Sequence, residues 1–475
     1  MSQLTARMPT LISRLIASAL TLVAVSVPAG AQQLTLAEAL RSADRAAYAN
    51  RMAEANVAAA GAQRLAPLRG VLPAVRIEGG YLRTTDPIAA FGTRLKQREI
   101  GETDFAPSRL NFPDAIGNYS AGVVAEQPLF NADSWLARRA AERGATASQS
   151  SAEWTRLSTR ADVIRAYYGA VLAAERVATL DAAAKAAQSH VRQAESMVRS
   201  GMATRSDALL AAVKAGEVEA ERIEAHSEVE IARRQLALLI GLGAGTDPNL
   251  SYQLPSTSAI RQVARADTLD QAPGRRADVD AARSGVDAAR ANTQRARSLY
   301  LPRLNAFARY DWNSPQRLYG GDRSWTVGIL ASWSPFEGGT QLAETQATAA
   351  QLELAAAAAD AAVDRARLET QRSLASLRSA LARLDIAERA VAQSTEAHRI
   401  VGRKYEGGLA TVVELLDAAA AETASALALS NAKFAAIGAT ADRRRALGGD
   451  PGSLTVLDTA TKVAGTSDRL PETLR

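Results

Sequence analysis

Residues 405–414 of the chain read Tyr-Glu-Gly-Gly-Leu-Ala-Thr-Val-Val-Glu, and this stretch predicts a tight turn between two helices. Gly408 is the residue type that is favoured just past the end of a helix. Thr411 and Glu414 then form the Thr-x-x-Glu pattern of a capping box, in which each side chain binds the other residue's backbone N–H. A second copy, Gly201-Met202-Ala203-Thr204-Arg205-Ser206-Asp207, carries the same signals in the first half of the chain. The sequence therefore predicts two helical hairpins with tight tips.

The helices that flank these turns are predicted to be far longer than those of an ordinary globular domain. No proline interrupts residues 133–200 or 340–406, and about 65 residues at 1.5 Å each would span roughly 100 Å. Mostly apolar residues recur in steps of three and four from Val177 to Val198 and from Leu384 to Tyr405, and they form one narrow seam along each helix. This spacing is typical of coiled coils. The abundant alanine favours closely packed long helices.

The duplication extends to four short segments in which apolar and polar residues alternate, as they do in β-strands. We therefore expect a first repeat at 32–242, with a helix, a strand pair at 74–127 and a hairpin at 133–242. The second repeat, at 276–449, has a helix, a strand pair at 303–333 and a hairpin at 340–447. Residues 243–275 are expected to form a linker, and residues 450–475 a loosely ordered tail. The first half also carries an insertion within residues 83–117, which is expected to form a loop.

Aromatic residues lie near the ends of the predicted strands, at Tyr81, Tyr119, Trp312, Trp325 and Trp333. This placement is typical of the aromatic girdles of outer-membrane barrels. Because the smallest such barrels have about eight strands, four strands would require the chain to oligomerise. The alternative is a small antiparallel sheet packed on a soluble domain.

The N-terminus has the features of a secretory signal peptide at 1–31. Arg7 and Arg14 accompany an apolar stretch at 15–27, and Ala29-Gly30-Ala31 supplies a cleavage site before Gln32. The 475 residues include no cysteine, which excludes disulfides, thiolate metal sites and a lipid anchor on cysteine. The net charge of +6 is not gathered into a basic stripe with interleaved aromatics, so nucleic-acid binding is not expected.

In their order and spacing, these features resemble the TolC-like outer-membrane efflux family over nearly all of residues 34–449. The most specific pieces are 275–279 leading into 300–304, and 405–411. The resemblance implies a mainly α fold with a small β part, in which a homotrimer closes one 12-stranded β-barrel that an α-helical barrel continues into the periplasm. It also implies that the protein is located in the outer membrane of a Gram-negative bacterium, where outer-membrane lipid surrounds the barrel.

The resemblance also implies a passive exit duct for efflux or type I secretion. A periplasmic adaptor would open this duct, and an inner-membrane transporter would power it. No cofactor and no enzymatic activity are implied.

The resemblance assigns roles to residues at the hairpin tips. Glu414 and Asp417 match acidic residues that line the pore constriction and would favour cations, although capping and the helix dipole also explain them. Tip closure is assigned to Tyr405, Asp207, Ser206 and Arg205, and adaptor contact to Gly201, Met202, Gly408, Leu409 and Thr411. Ala410 stands where the family usually has an arginine, so the family's salt bridge lacks its usual cation here.

Two other classes of protein share part of the pattern. A periplasmic coiled-coil adaptor or scaffold would have the signal peptide and the hairpins, but would not have duplicated strands with aromatic ends. An exported enzyme would need a cluster of catalytic acids, and the sequence shows none. His190, His226 and His398 are scattered along the helices: His398 lies in the heptad seam, and the other two are isolated. Packing or surface exposure is therefore their expected role, and no metal site is predicted.

Overall fold

The computed structural model describes residues 33–243, 245–250, 253–269 and 274–458, so the predicted signal peptide lies outside the described residues. The first half contains α1 (Leu36–Ala46), α2 (Tyr48–Gln63), β1 (Ala74–Thr84), α3 (Pro87–Lys96), α4 (Pro107–Asn111), β2 (Ile116–Phe130), α5 (Ala132–Arg199) and α6 (Arg205–Leu239). The second half contains α7 (Thr257–Ala264), α8 (Ala277–Ser298), β3 (Arg303–Ser314), β4 (Asp322–Ser332), α9 (Thr340–Glu406) and α10 (Val412–Ala446).

The expectation of a mainly helical chain with four strands is confirmed. Two hairpins dominate the fold: α5 has 68 residues and α6 has 35, while α9 has 67 and α10 has 35. Every predicted seam residue on α5 and α9 is buried or half-buried, with Leu180 and Leu384 fully enclosed. None of the helices within the described residues combines the length and the apolar character that a membrane crossing requires.

The four strands form one antiparallel sheet in the order β1-β2-β3-β4, so that β2 and β3 join the two repeats. Ile77 lies opposite Val123, Val123 opposite Tyr310, and Tyr310 opposite Trp325. Since neighbours across strands share a face, the predicted apolar residues of all four strands fall on one side of the sheet. Among the described residues, β1 and β4 are each paired on one side only.

The opposite face of the sheet carries charge. Arg309 donates to Asp311 at 2.8 Å and lies 3.8 Å from Glu78 on β1. Arg76 and Glu126 form a further pair at 3.5 Å. The sheet therefore has one apolar and one charged face.

The largest core lies at mid-height on the long helices, where α1 and α7 pack against α5, α6, α9 and α10. The end of the described chain joins this core through Leu454 and Leu457, which are both buried. Asp458 accepts a hydrogen bond from the Leu36 N–H at 2.6 Å. The prediction of a loosely ordered tail is therefore wrong for 450–458, because two leucines are buried there. Residues 459–475 lie outside the described residues.

The insertion between β1 and β2 folds into α3 and α4 instead of an irregular loop. Asp104 is buried between them, where it accepts from the Gly101 N–H at 2.9 Å and from Arg94 at 3.2 Å. Gln97 donates to the carbonyl of Gly117 at 2.9 Å, which ties α3 to the start of β2. The sequence located this insertion but did not predict its helices.

Gly241, just after α6, is expected to tolerate alanine less well than Gly243. Both have positive φ, +79° and +82°, so both substitutions incur a backbone cost of about 1–2 kcal/mol. A Cβ on Gly241 would lie 2.4 Å from the Ala46 carbonyl oxygen, whereas a Cβ on Gly243 would meet nothing within 4 Å. We expect Gly241→Ala to cost about 1–3 kcal/mol more, measured as a larger fall in melting temperature. Equal falls in the two variants would contradict this account of the α1–α6 contact.

Candidate pore and hairpin tips

The two hairpin tips have the same backbone structure. Gly201 and Gly408 adopt φ values of +73° and +72°. The next residues close the helix ends, since Met202 N–H donates to the Met197 carbonyl at 2.9 Å and Leu409 N–H donates to the Lys404 carbonyl at 2.8 Å. These are the bonds of a glycine-terminated helix end. The chain therefore reverses within a few residues at each tip.

A capping box starts the second helix of each hairpin. The Thr204 hydroxyl accepts from the Asp207 N–H at 3.3 Å, and the Asp207 carboxylate accepts from the Thr204 N–H at 2.9 Å. At the second tip, Thr411 accepts from the Glu414 N–H at 3.2 Å and Glu414 accepts from the Thr411 N–H at 2.7 Å. The predicted capping role of these residues is confirmed.

The capping bonds favour the ionised form of both acids. The backbone N–H of Thr204 holds the pKa of Asp207 below its ordinary value, and the Thr204 hydroxyl lowers it further. The backbone N–H and the hydroxyl of Thr411 do the same for the pKa of Glu414, and Lys404 contributes. Both carboxylates are therefore ionised at neutral pH.

Acid is expected to loosen both tips. Because the folded-state pKa of Glu414 lies below its ordinary value of 4.5, the cap is fully formed above that pH and is lost as the pH falls through the lowered pKa. Hydrogen exchange of the first-turn amides of α10, corrected for intrinsic rates, should therefore accelerate as the pH falls below 4.5. The variant Glu414→Gln keeps an uncharged cap and should remove this acceleration at the second tip only. Acceleration that persists there would contradict the assignment to Glu414.

The two predicted pore residues share one exposed side of α10. Glu414 and Asp417 are three residues apart, which is close to one helical turn, and both are exposed while Leu415 and Leu416 between them are buried. Lys214 on α6 lies near them. Its pKa is raised above the ordinary value, mostly by Glu217 and in part by the charge of Asp417. Two carboxylates of each chain thus point away from the hairpin core toward one surface. Their role in a constriction stays a prediction.

Tyr405 lies in a small core that joins the two tips. Its ring is 3% exposed and packs in a cluster that includes Met197, Val412 and Leu415. Its hydroxyl is buried with no hydrogen-bond partner among the described residues. Burial raises the pKa of Tyr405, and the charge of Asp207 raises it further. The hydroxyl is therefore available for a partner.

The other predicted closure residues lie beside Asp207. Ser206 shares a hydrogen bond of 2.7 Å with Thr204, and Arg205 is exposed. Since the Asp207 carboxylate is bound to Thr204, the structure shows no direct bond from it to Tyr405. A closing link through these residues stays a prediction.

The extreme ends of both hairpins expose apolar side chains. Met202 is 68% and Leu409 is 81% exposed. Gly201 and Gly408 beside them have open space where a side chain would lie. Thr411 is exposed but already engaged in its cap. These tip residues form matching apolar ends, and their role in adaptor contact stays a prediction.

The predicted girdle residues fall at two ends of the sheet. Tyr81 and Tyr119 are in contact near the loop end of β1 and β2, with ring centres 4.7 Å apart and ring planes tilted by 42°. Trp312 contacts Tyr310, with ring centres 4.7 Å apart, and Trp325 lies opposite Tyr310 on the neighbouring strand. Trp333 lies at the end next to α9, where its ring N–H donates to the Tyr300 carbonyl at 3.1 Å. Tyr310, which is not among the predicted girdle residues, joins the group at the loop end.

Two histidines that the sequence analysis described as scattered are in contact. The rings of His190 on α5 and His398 on α9 have centres 5.6 Å apart, and Glu422 on α10 lies 2.5 Å from Nδ1 of His398. The expectation that His190 is isolated is wrong, because the two hairpins converge here. Its place beside the seam residue Val191 was the available signal. Within the described residues, no group of three or more His, Asp or Glu side chains is placed to hold a metal ion.

The comparisons with known proteins identify the family. The sequence profile of the outer membrane efflux protein family matches residues 49–242 and 268–449. The chain belongs to the outer membrane efflux protein family. The two matched segments span both hairpins and both strand pairs, so family membership covers the residues described above. Among curated proteins, no sequence matches the chain significantly.

Solved structures agree with the fold of this efflux protein. It is similar to the CmeC outer membrane channel of Campylobacter jejuni, with a TM-score of 0.73 and 18% identity over 93% of this chain and 90% of that one. The outer membrane protein VceC of Vibrio cholerae has a TM-score of 0.71 and 20% sequence identity, and the match covers 87% of this chain and 96% of that one. The open state of the MtrE outer membrane channel of Neisseria gonorrhoeae has a TM-score of 0.68 and 21% sequence identity, and the match covers 87% of this chain and 89% of that one. These likenesses concern the fold.

Proposed function

We propose that this efflux protein is a passive exit duct formed by three copies of the chain in the outer membrane of a Gram-negative bacterium. The observation that carries the proposal is the open four-stranded sheet, which has one apolar face and, among the described residues, unpaired outer edges on β1 and β4. Unpaired edges invite further strand pairing. Three such sheets joined edge to edge would give twelve strands and close a barrel.

The two faces of the sheet suit the two environments of such a barrel. Outer-membrane barrels turn apolar side chains to lipid and polar side chains to the lumen. The face with Ile77 and Trp325 would meet lipid, and the face with Arg309, Asp311 and Glu78 would line the duct. The aromatic residues at both sheet ends would lie at the membrane surfaces. The long hairpins would then extend the duct into the periplasm.

The tips would form the closed end of the duct. Three copies of Glu414 and Asp417 would bring six carboxylates to a narrow mouth, which favours cations. A periplasmic adaptor would bind the exposed ends at Met202 and Leu409 and open the mouth, and an inner-membrane transporter would supply the energy. The duct itself needs no catalytic group or cofactor.

Single-channel recording in planar bilayers tests this function. Mature protein purified in detergent should have the mass of three chains and should give a small, cation-selective conductance. A water-soluble monomer without conductance would contradict the duct. That result would favour the periplasmic adaptor or scaffold that the hairpins also allow.

A further inference from the structure

A cavity of about 720 Å³ lies between the two hairpins, and all four long helices line it. Small side chains such as Ala183, Ala187 and Ala419 form much of its wall, which leaves the space open. His190, His398 and Glu422 also line it. His190 and His398 lie about three helical turns above Gly201 and Gly408. The wall of the cavity therefore includes one histidine from each hairpin.

One contact in this group is of a kind that is common beside metal-binding histidines. A histidine that binds a metal commonly donates its other ring N–H to a carboxylate, which orients the ring. Glu422 occupies that position toward Nδ1 of His398, at 2.5 Å, and this leaves Nε2 free to act as a ligand. Both ring nitrogens of His190 are buried without a well-formed hydrogen bond, although Gln193 lies one turn away. Buried polar atoms are normally satisfied, so a missing partner is indicated.

The distance between the rings also fits one shared ion. Because a bond from zinc to a histidine nitrogen is about 2.0–2.1 Å, two imidazoles on one ion have ring centres roughly 5–6 Å apart. The observed separation is 5.6 Å, with the ring planes at 71°.

We propose that His190 and His398 form a two-histidine site for a divalent transition-metal ion, such as Zn²⁺ or Cu²⁺, with Glu422 orienting His398. Imidazole ligands suit these ions. Water from the cavity would fill the remaining coordination positions, since the described residues offer no third ligand. The ion would join α5 to α9 and so hold the two hairpins together just above the tips. This consequence for opening rests on the proposed function, but the site does not.

Copper binding to the mature protein in detergent tests the site. The protein should carry no polyhistidine tag, and Cu²⁺ is the probe. The wild type should bind one Cu²⁺ per chain, with the electron paramagnetic resonance pattern of two nitrogen ligands, and Zn²⁺ should compete. His190→Ala and His398→Ala should each weaken binding at least about tenfold, and Glu422→Gln about 10–100-fold. His190→Gln provides a second variant of similar size in case the alanine variant fails to fold.

His226→Ala is the matched control, because His226 lies on α6 and does not line the cavity. Its Nε2 lies 3.9 Å from a carboxylate oxygen of Asp181. Its copper affinity should equal that of the wild type. Wild-type protein that binds no Cu²⁺, or binds it equally well without His190 and His398, would overturn the proposal.

A second measurement separates the site from the duct. In planar bilayers, Zn²⁺ should reduce the open probability of the wild type, EDTA should reverse this, and His190→Ala should be unaffected. Copper binding without any conductance would leave the site standing and refute the proposed function. Conductance without copper binding would support the proposed function and refute the metal site.

Discussion

The double variant Glu414→Gln/Asp417→Asn is expected to lower the cation selectivity of the duct severalfold while the tips remain folded. Six carboxylates at a narrow mouth attract cations and repel anions. Glutamine can also serve in a capping box, so Glu414→Gln removes the charge but keeps the bond to Thr411 that the structure shows. Reversal potentials in a salt gradient measure the change.

The control for this variant is Asp207→Asn, which makes the same kind of change in the capping box of the other tip. It should leave selectivity near that of the wild type, because the resemblance assigns Asp207 to closure and not to the pore. Reversal potentials that are unchanged in the double variant would refute the pore assignment of Glu414 and Asp417. An equal effect of Asp207→Asn would place the selective charge on both tips.

Arg276→Ala is expected to destabilise the fold by about 3 kcal/mol, the lower end of the range for breaking a buried ion pair. The side chain of Arg276 is 2% exposed. Its guanidinium donates to Asp278 at 2.8 Å, to Glu369 at 2.6 Å and to the Ala446 carbonyl at 2.9 Å. It also lies over the ring of Trp154, 4.5 Å from the ring centre. One side chain thus connects α5, α8, α9 and α10.

Arg275→Ala is the matched control, because its side chain is 87% exposed and pairs only with Asp280 in the described structure. Exposed pairs contribute little to stability, so its melting temperature should stay near that of the wild type. Tryptophan fluorescence measures both variants, since Trp154 lies against Arg276 itself. Equal melting temperatures for the two variants would contradict the role of Arg276 in joining the four helices.

Much of the fold could be predicted because local signals agreed with one another. The glycine and capping-box residues at 201–207 and 408–414 specify the tips without help from distant contacts, and the structure has both. The alternation in the strands gave the apolar face correctly, because side chains of a strand alternate between faces. The repeat itself supplied an internal check on each assignment.

The parts that could not be predicted depend on contacts between distant segments. His190 and His398 are far apart in sequence, and only the convergence of the hairpins brings their rings together. The order of 450–458 comes from the burial of Leu454 and Leu457 in a core built mostly by other segments. Likewise, the helices of the insertion depend on the buried Asp104 and its partners, which no periodic pattern reveals.

Disulfide trapping between the sheet edges tests the trimeric barrel most directly, because the chain has no cysteine of its own. Ile77→Cys on β1 would be combined in turn with Trp325→Cys, Val327→Cys or Ile329→Cys on β4. Within one chain these strands are three strand spacings apart, about 14 Å, and a disulfide requires Cα atoms within about 7 Å. Any disulfide must therefore join two chains. Ile77→Cys with Thr326→Cys is the control, since Thr326 lies on the other face of β4.

The account predicts that at least one of the three apolar-face pairs gives a covalent species of three chains on a denaturing gel, and that the control pair does not. A product that stays at one chain for every pair would contradict the closed barrel. A ladder that continues beyond three chains would contradict the trimer.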